Sequence, residues 1–119
     1  MELLAIPGAS GHVLAPEQNA GIQAFIVDVV LADDAEILTI GVVPEARRAG
    51  LARALIDDLA RRARRKHARR IVLEVASDNF AAIRLYESKG FTLLGERPAY
   101  YRRARGKVDA YILGLPLQL

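Results

Sequence analysis

The chain has no cysteine and no tryptophan, and only two histidines in 119 residues. Without cysteine there is no disulfide framework, no thiolate metal site and no cysteine nucleophile. His12 and His67 stand far apart without ligand spacing, so no metal is expected. Ser10, Ser77 and Ser88 are the only serines, and none lies in a nucleophile elbow. A Walker phosphate loop is missing, because Gly50 is followed by Leu51, Ala52 and Arg53, and the glycine spacing of a Rossmann fingerprint is missing too. No apolar run approaches the roughly 20 residues of a membrane span. The first residues, Met1 to Gly8, have no basic segment ahead of an apolar one, so no signal peptide is read there. A cytoplasmic protein without membrane contact is the expectation.

What is present suits one folded domain over residues 1–119, too short for two. Hydrophobic residues make up 52%, which excludes a disordered chain. The net charge is +3, unevenly spread: seven of the 17 lysines and arginines fall between Arg61 and Arg70. Their place near a predicted helix C-terminus reads as a solvated cationic face. The alternative is a surface for RNA or a ribosome. Aromatic residues do not interleave with these arginines, so direct nucleic-acid binding is not expected.

Short strands are read at Val13 to Ala15, at Ile22 to Leu31 and at Ile37 to Val43, with turns at Pro16 to Gly21 and at Ala32 to Ala35. From Leu51, apolar residues at 52, 55, 56, 59 and 63 trace the buried stripe of a helix that ends near His67. Arg70 to Ala76 alternates as a strand, with Ile71, Leu73 and Val75 on one face and Glu74 on the other. Ser77 to Asn79 caps a second helix, and Gly90 stops it. Phe91 to Gly95 and Ala110 to Leu117 finish as strands around a polar loop, Arg102 to Lys107. The order defines a mixed α/β (α+β) domain.

Chemistry concentrates where the strand ending at Val43 is stopped by Pro44 and a basic turn opens into the helix at Leu51. Backbone N–H groups that no helical carbonyl can satisfy crowd around Gly50, at the positive end of the helix dipole. With Arg47, Arg48 and Arg53 alongside, this turn is a cradle for a phosphorylated cofactor. Three further residues stand out. Glu74 is either a cleft carboxylate with a raised pKa or a strand residue facing solvent. Asn79 is by default a helix cap, and Tyr86 by default a core residue.

Together these residues resemble the GNAT N-acetyltransferases. The family's Gln/Arg-x-x-Gly-x-Gly/Ala signature stands here as Arg47-Arg48-Ala49-Gly50-Leu51-Ala52. Within the superfamily the pattern is most similar to the ribosomal-protein alanine N-acetyltransferases, the RimI-like group. That likeness is carried by Leu73-Glu74-Val75, Asn79, Leu85-Tyr86-Glu87, Gly90-Phe91, Arg97, Tyr100-Tyr101 and Asp109-Ala110. The resemblance implies a mainly antiparallel central sheet with helices packed on its faces. It implies acetyl-CoA as cosubstrate, with backbone groups of Ile40, Gly41 and Val42 pairing with the pantetheine arm. Residues Arg47, Arg48, Ala49, Gly50, Leu51, Ala52 and Arg53 would hold the pyrophosphate, and Asn79 would contact the cofactor. Glu74 would act as general base and Tyr86 as general acid, in direct attack by a protein N-terminal amine, with an alanine of a small-subunit ribosomal protein as the expected acceptor.

The pattern departs from the family at the start, where most of the usual first strand and two helices are not found. That leaves the acceptor side incomplete and favours a homodimer through exposed apolar surface. A small-molecule amine or lysine acceptor is the alternative within the superfamily; a CoA-binding remnant without activity is the alternative outside enzymes. His67 stands at the helix end where relatives often carry glycine, so a local adjustment is expected there.

Overall fold

The computed structural model describes residues 9–15, 21–47 and 50–118. Its elements run β1 (Ala9–Leu14), β2 (Ala24–Leu31), β3 (Asp34–Val42), α1 (Leu51–Arg65), β4 (Arg70–Ala76), α2 (Phe80–Ser88), β5 (Thr92–Arg103) and β6 (Gly106–Pro116). One 3-10 turn at Pro44–Ala46 separates β3 from α1. The six strands form a single sheet in the order β1-β2-β3-β4-β6-β5, antiparallel except for the β3–β4 pair. This is the expected mixed, mainly antiparallel sheet with two helices. Residues 16–20, read from sequence as a turn, lie outside the described residues.

Of the helical stripe read from the sequence, Leu55, Ile56, Leu59 and Ala63 form the buried face of α1; Ala60 joins them, while Ala52, at the open first turn beside the cleft, is only partly buried. It shares one core with Ile26 of β2, Ile37 of β3, and Ile71, Leu73 and Val75 of β4. Tyr86 of α2 and Phe91 just beyond it belong to the same core. Each large aliphatic side chain buried there contributes about 1.5–3 kcal/mol.

Both helices end in the same way. After α1, the Ala68 N–H donates to the Ala63 carbonyl and the His67 N–H to the Arg64 carbonyl, both at 3.0 Å. This is a Schellman closure. His67 takes the left-handed position itself, at φ +66, so the turn keeps its ordinary geometry without the expected adjustment. Histidine is among the non-glycine residues enriched in that region. After α2, Gly90 occupies the equivalent position at φ +100, and the Phe91 N–H donates to the Tyr86 carbonyl at 3.0 Å. The Tyr86 and Phe91 rings then meet with centroids 5.6 Å apart. The helix stop therefore also fixes the Tyr86 ring.

Several boundaries differ from the sequence reading. β3 begins at Asp34, inside the stretch read as a turn at Ala32 to Ala35, because Asp34 and Ala35 already pair with Leu31 and Val30 of β2. β1 begins at Ala9, because it follows β2 as an edge strand from Ala9 opposite Val29 to Leu14 opposite Ala24. The polar loop expected at 102–107 is strand for most of its length: β5 runs to Arg103 and pairs with Gly106 across a tight turn. β5 is an edge strand and almost wholly exposed, so polar residues on both its faces obscure the alternation.

The feature that makes a site is a parting of the sheet. Between β2 and β3, Val27 faces Thr39 but Asp28 faces Ile37, so Leu38 is an extra residue. Such a bulge bends its strand. On the other edge, β3 pairs with β4 only from Asp34–Arg70 to Ile37–Leu73. Beyond Leu38 the two strands separate, while Glu74, Val75 and Ala76 stay bonded to β6.

Candidate active site

A cleft of about 1080 Å³ opens where β3 and β4 part. Ile40, Gly41 and Val42 line it from β3, and Arg47 with Gly50, Leu51, Ala52 and Arg53 line it from the basic turn and the start of α1. Glu74 reaches it from β4, and Asn79 and Tyr86 from α2 and its cap. Arg48 and Ala49 lie outside the described residues. The remaining candidate residues thus converge on one cavity.

Gly50 caps α1 in the left-handed conformation, φ +78, with no side-chain hydrogen bond closing the helix end. The first bond of the helix runs from the Ala54 N–H to the Gly50 carbonyl. The amides of Leu51, Ala52 and Arg53 precede it, at the positive end of the dipole. The two described arginines of the turn are engaged within the chain: Arg47 Nε donates to the Val42 carbonyl at 3.3 Å, and Arg53 Nη1 to Ser88 Oγ at 2.5 Å. Gly41 has a packing reason of its own. A Cβ there would lie 2.6 Å from Cε1 of Phe25, whose ring covers the strand.

On the opposite wall, Asn79 Oδ1 accepts from the Ala82 N–H at 3.3 Å, the cap read from the sequence. Tyr86 is 6% exposed, and burial holds its phenol above its ordinary pKa. Glu74 is partly buried, and Arg97 Nη2 lies 3.1 Å from its Oε1. Tyr101 and Arg103 of β5 also line the cleft and were not among the candidates read from the sequence. Burial raises the Tyr101 phenol, and the Glu74 charge adds to the rise. Arg103 grips Asp78 through two hydrogen bonds of 2.7 and 2.9 Å, which hold the Asp78 carboxyl below its ordinary range. The Tyr-Tyr pair at 100–101 was the available signal, but its facing depends on a register shift in β5 that sequence alternation does not reveal.

A strand pair that parts beside an open helix N-terminus forms a cleft for an extended ligand ending in phosphate. The model of the acetyltransferase (GNAT) family matches residues 8–91. A ribosomal protein bS18 alanine N-acetyltransferase of Escherichia coli K12 is 38% identical over 102 residues, covering 86% of this chain and 69% of that one. The crystal structure of the ribosomal-protein-S18-alanine N-acetyltransferase from Escherichia coli superposes with a TM-score of 0.85 at 35% identity, covering 95% of this chain and 72% of that one. A nourseothricin acetyltransferase superposes at 0.84 with 30% identity, covering 94% and 67%. The chain belongs to the GNAT family of N-acetyltransferases. Enzymes of this family use acetyl-CoA as the acetyl donor.

Proposed function

We propose that this enzyme transfers an acetyl group from acetyl-CoA to the N-terminal amine of a protein, with an alanine of a small-subunit ribosomal protein as acceptor. The observation that carries the reading is the convergence of Glu74 and Tyr86 on the cleft that opens beside Gly50. The residues present fit the donor. The amides from Leu51 to Arg53 suit a pyrophosphate. Backbone groups of Ile40 to Val42, which no longer pair with β4, suit the pantetheine amides as an added strand would. The choice of acceptor is supported by the Escherichia coli relative, named as an alanine N-acetyltransferase. The setting proposed is the cytoplasm, with residues 1–119 acting as one domain.

When bound, the donor supplies a thioester-activated acetyl group. Glu74 takes a proton, directly or through one water, from an acceptor amine whose reference pKa is about 7.7–8.0. That frees the nitrogen lone pair for attack within a ternary complex. Tyr86 gives its phenolic proton to the departing sulfur. Because burial raises its pKa, the phenol keeps that proton through the neutral range. Positioned acid and base groups typically contribute about 10²–10⁴-fold each.

The test is acetyl transfer to an alanine-starting peptide. Glu74→Gln and Tyr86→Phe should each lower kcat by about 10²-fold or more while leaving acetyl-CoA binding unchanged by calorimetry. Unchanged turnover in both variants would remove these roles. Absence of acetyl-CoA binding by the unmodified chain would remove the whole reading.

A further inference from the structure

The Glu74 carboxylate already has a cation on it, Arg97, at 3.1 Å. That arginine comes from the most irregular stretch of the hairpin. Arg97 faces Ala110 and Tyr101 faces Val108, so β5 places three residues where β6 places one. Within this bulge Ala99 takes φ +52, a region that side chains other than glycine enter at a cost. Its N–H is held by Asp109 Oδ1 at 2.9 Å. Bulges re-aim side chains, and local strain persists only where the surroundings enforce it. Here the bulge brings Arg97 to Glu74, with its guanidinium 5.4 Å from the centroid of the Tyr100 ring. The Tyr100 ring in turn stands edge-on to Tyr101, 5.1 Å away, which lines the cleft.

We propose that Arg97 is a latch on Glu74, a resident cation that the acceptor's ammonium group displaces on binding. Its side chain is 53% exposed and that of Glu74 28% exposed, so the arginine is the member free to swing into solvent. Near neutral pH much of an α-amine carries a proton, so the exchange replaces one cation on the carboxylate by another. A neutral nucleophile cannot make that exchange without leaving Glu74 unpaired. The latch therefore selects cationic amines. This rests on the reading of Glu74 as the group that meets the acceptor.

The test measures binding rather than turnover. An alanine-starting peptide is titrated by calorimetry into the protein saturated with CoA, which cannot react. Arg97→Gln should tighten peptide binding by up to about five-fold, the range of a partly exposed ion pair. Arg97→Lys, which keeps the cation, should return the affinity to that of the unmodified protein. In a Glu74→Gln background the effect of Arg97→Gln should vanish. Peptide binding unchanged or weakened by Arg97→Gln, or a gain that survives Glu74→Gln, would overturn the latch. Full turnover in Glu74→Gln would instead sink the general-base reading and leave this binding result standing, so the two failures are distinct.

Discussion

Replacing Arg62 by methionine should remove about 3–5 kcal/mol of this protein's stability. Asp28 is the one charged residue wholly buried among the described residues, at 0% exposure in the middle of β2. Arg62, in the last turn of α1, meets it with two hydrogen bonds of 3.0 and 2.9 Å and sends its Nε to Asp58 at 2.8 Å. Burial alone would lower the Arg62 pKa, but the bonds to Asp28 and Asp58 outweigh it and hold the pKa above its ordinary value. Without Arg62, the Asp28 carboxylate keeps only the Ser10 hydroxyl at 3.2 Å and the His12 ring nitrogen at 3.8 Å. Leaving a buried charge without its partner costs about 3–5 kcal/mol. Domains of this kind have roughly 5–15 kcal/mol in total. With a urea slope of about 2 kcal/mol per M, the midpoint should fall by about 2 M. The assay is urea denaturation at neutral pH followed by circular dichroism. Asp28→Asn combined with Arg62→Met should recover most of the loss, because the buried group is then neutral. As a contrast, Arg70→Ala removes an exposed pair with Asp34 and should leave the midpoint within error. If Arg62→Met costs less than about 1 kcal/mol, or the double variant is no better than the single one, Asp28 is not held by this pairing.

Three further outcomes follow from the cleft and its helices. Gly41→Ala drives a methyl group to 2.6 Å from the Phe25 ring, so stability should drop by about 1–3 kcal/mol in urea and acetyl-CoA should bind more weakly by calorimetry. The buried Tyr86 phenol has its folded pKa above the unfolded value of about 10. Its contribution is therefore complete below that value and is lost as pH rises through the folded pKa. The urea midpoint should fall as pH rises above about 10, and less steeply in Tyr86→Phe; equal slopes would contradict the burial argument. Reversing the charge at Arg64 and Arg65 should leave kcat/KM for the peptide unchanged, and a loss confined to peptide turnover would show that the basic face serves the reaction.

The elements that were legible in the sequence are those whose signals are local. β4 runs from Arg70 to Ala76, and α1 begins at Leu51, where alternation, a glycine cap and a helical stripe lie next to one another in the chain. The proposed phosphate cradle is legible for the same reason, since its described residues lie on one turn and one helix end. Arg62 shows the opposite case. In sequence it is one of seven cations on a basic helix end and reads as solvated. In the fold its side chain is 18% exposed and bound to a carboxylate 34 residues away. Asp28 itself, set in Ala-Phe-Ile-Val-Asp-Val-Val-Leu, looks like an interruption of a strand until the helix that neutralises it is placed.

The two walls of the cleft differ in this respect, and the difference has a physical source. The cofactor-side wall needs only that β3 leave β4, and a single extra residue at Leu38 is enough to start that separation. The wall proposed for the acceptor depends on β5, an edge strand that tolerates Pro98, a two-residue excess over β6 and a left-handed Ala99. An edge strand has no second neighbour to enforce its register, so such irregularities cost less there than in the sheet interior. They accompany the placing of Arg97 on Glu74 and of Tyr101 in the cleft, with Tyr100 packed between the two. The donor cradle is thus written in a local motif common to the family. The residues proposed to meet the acceptor are set by a bulge, and a change of one residue in that bulge would re-aim them. Selectivity for the acceptor should therefore be altered more readily by substitutions between Arg97 and Tyr101 than by any change around Gly50. Peptide KM and acetyl-CoA KM measured separately across the two segments would show it.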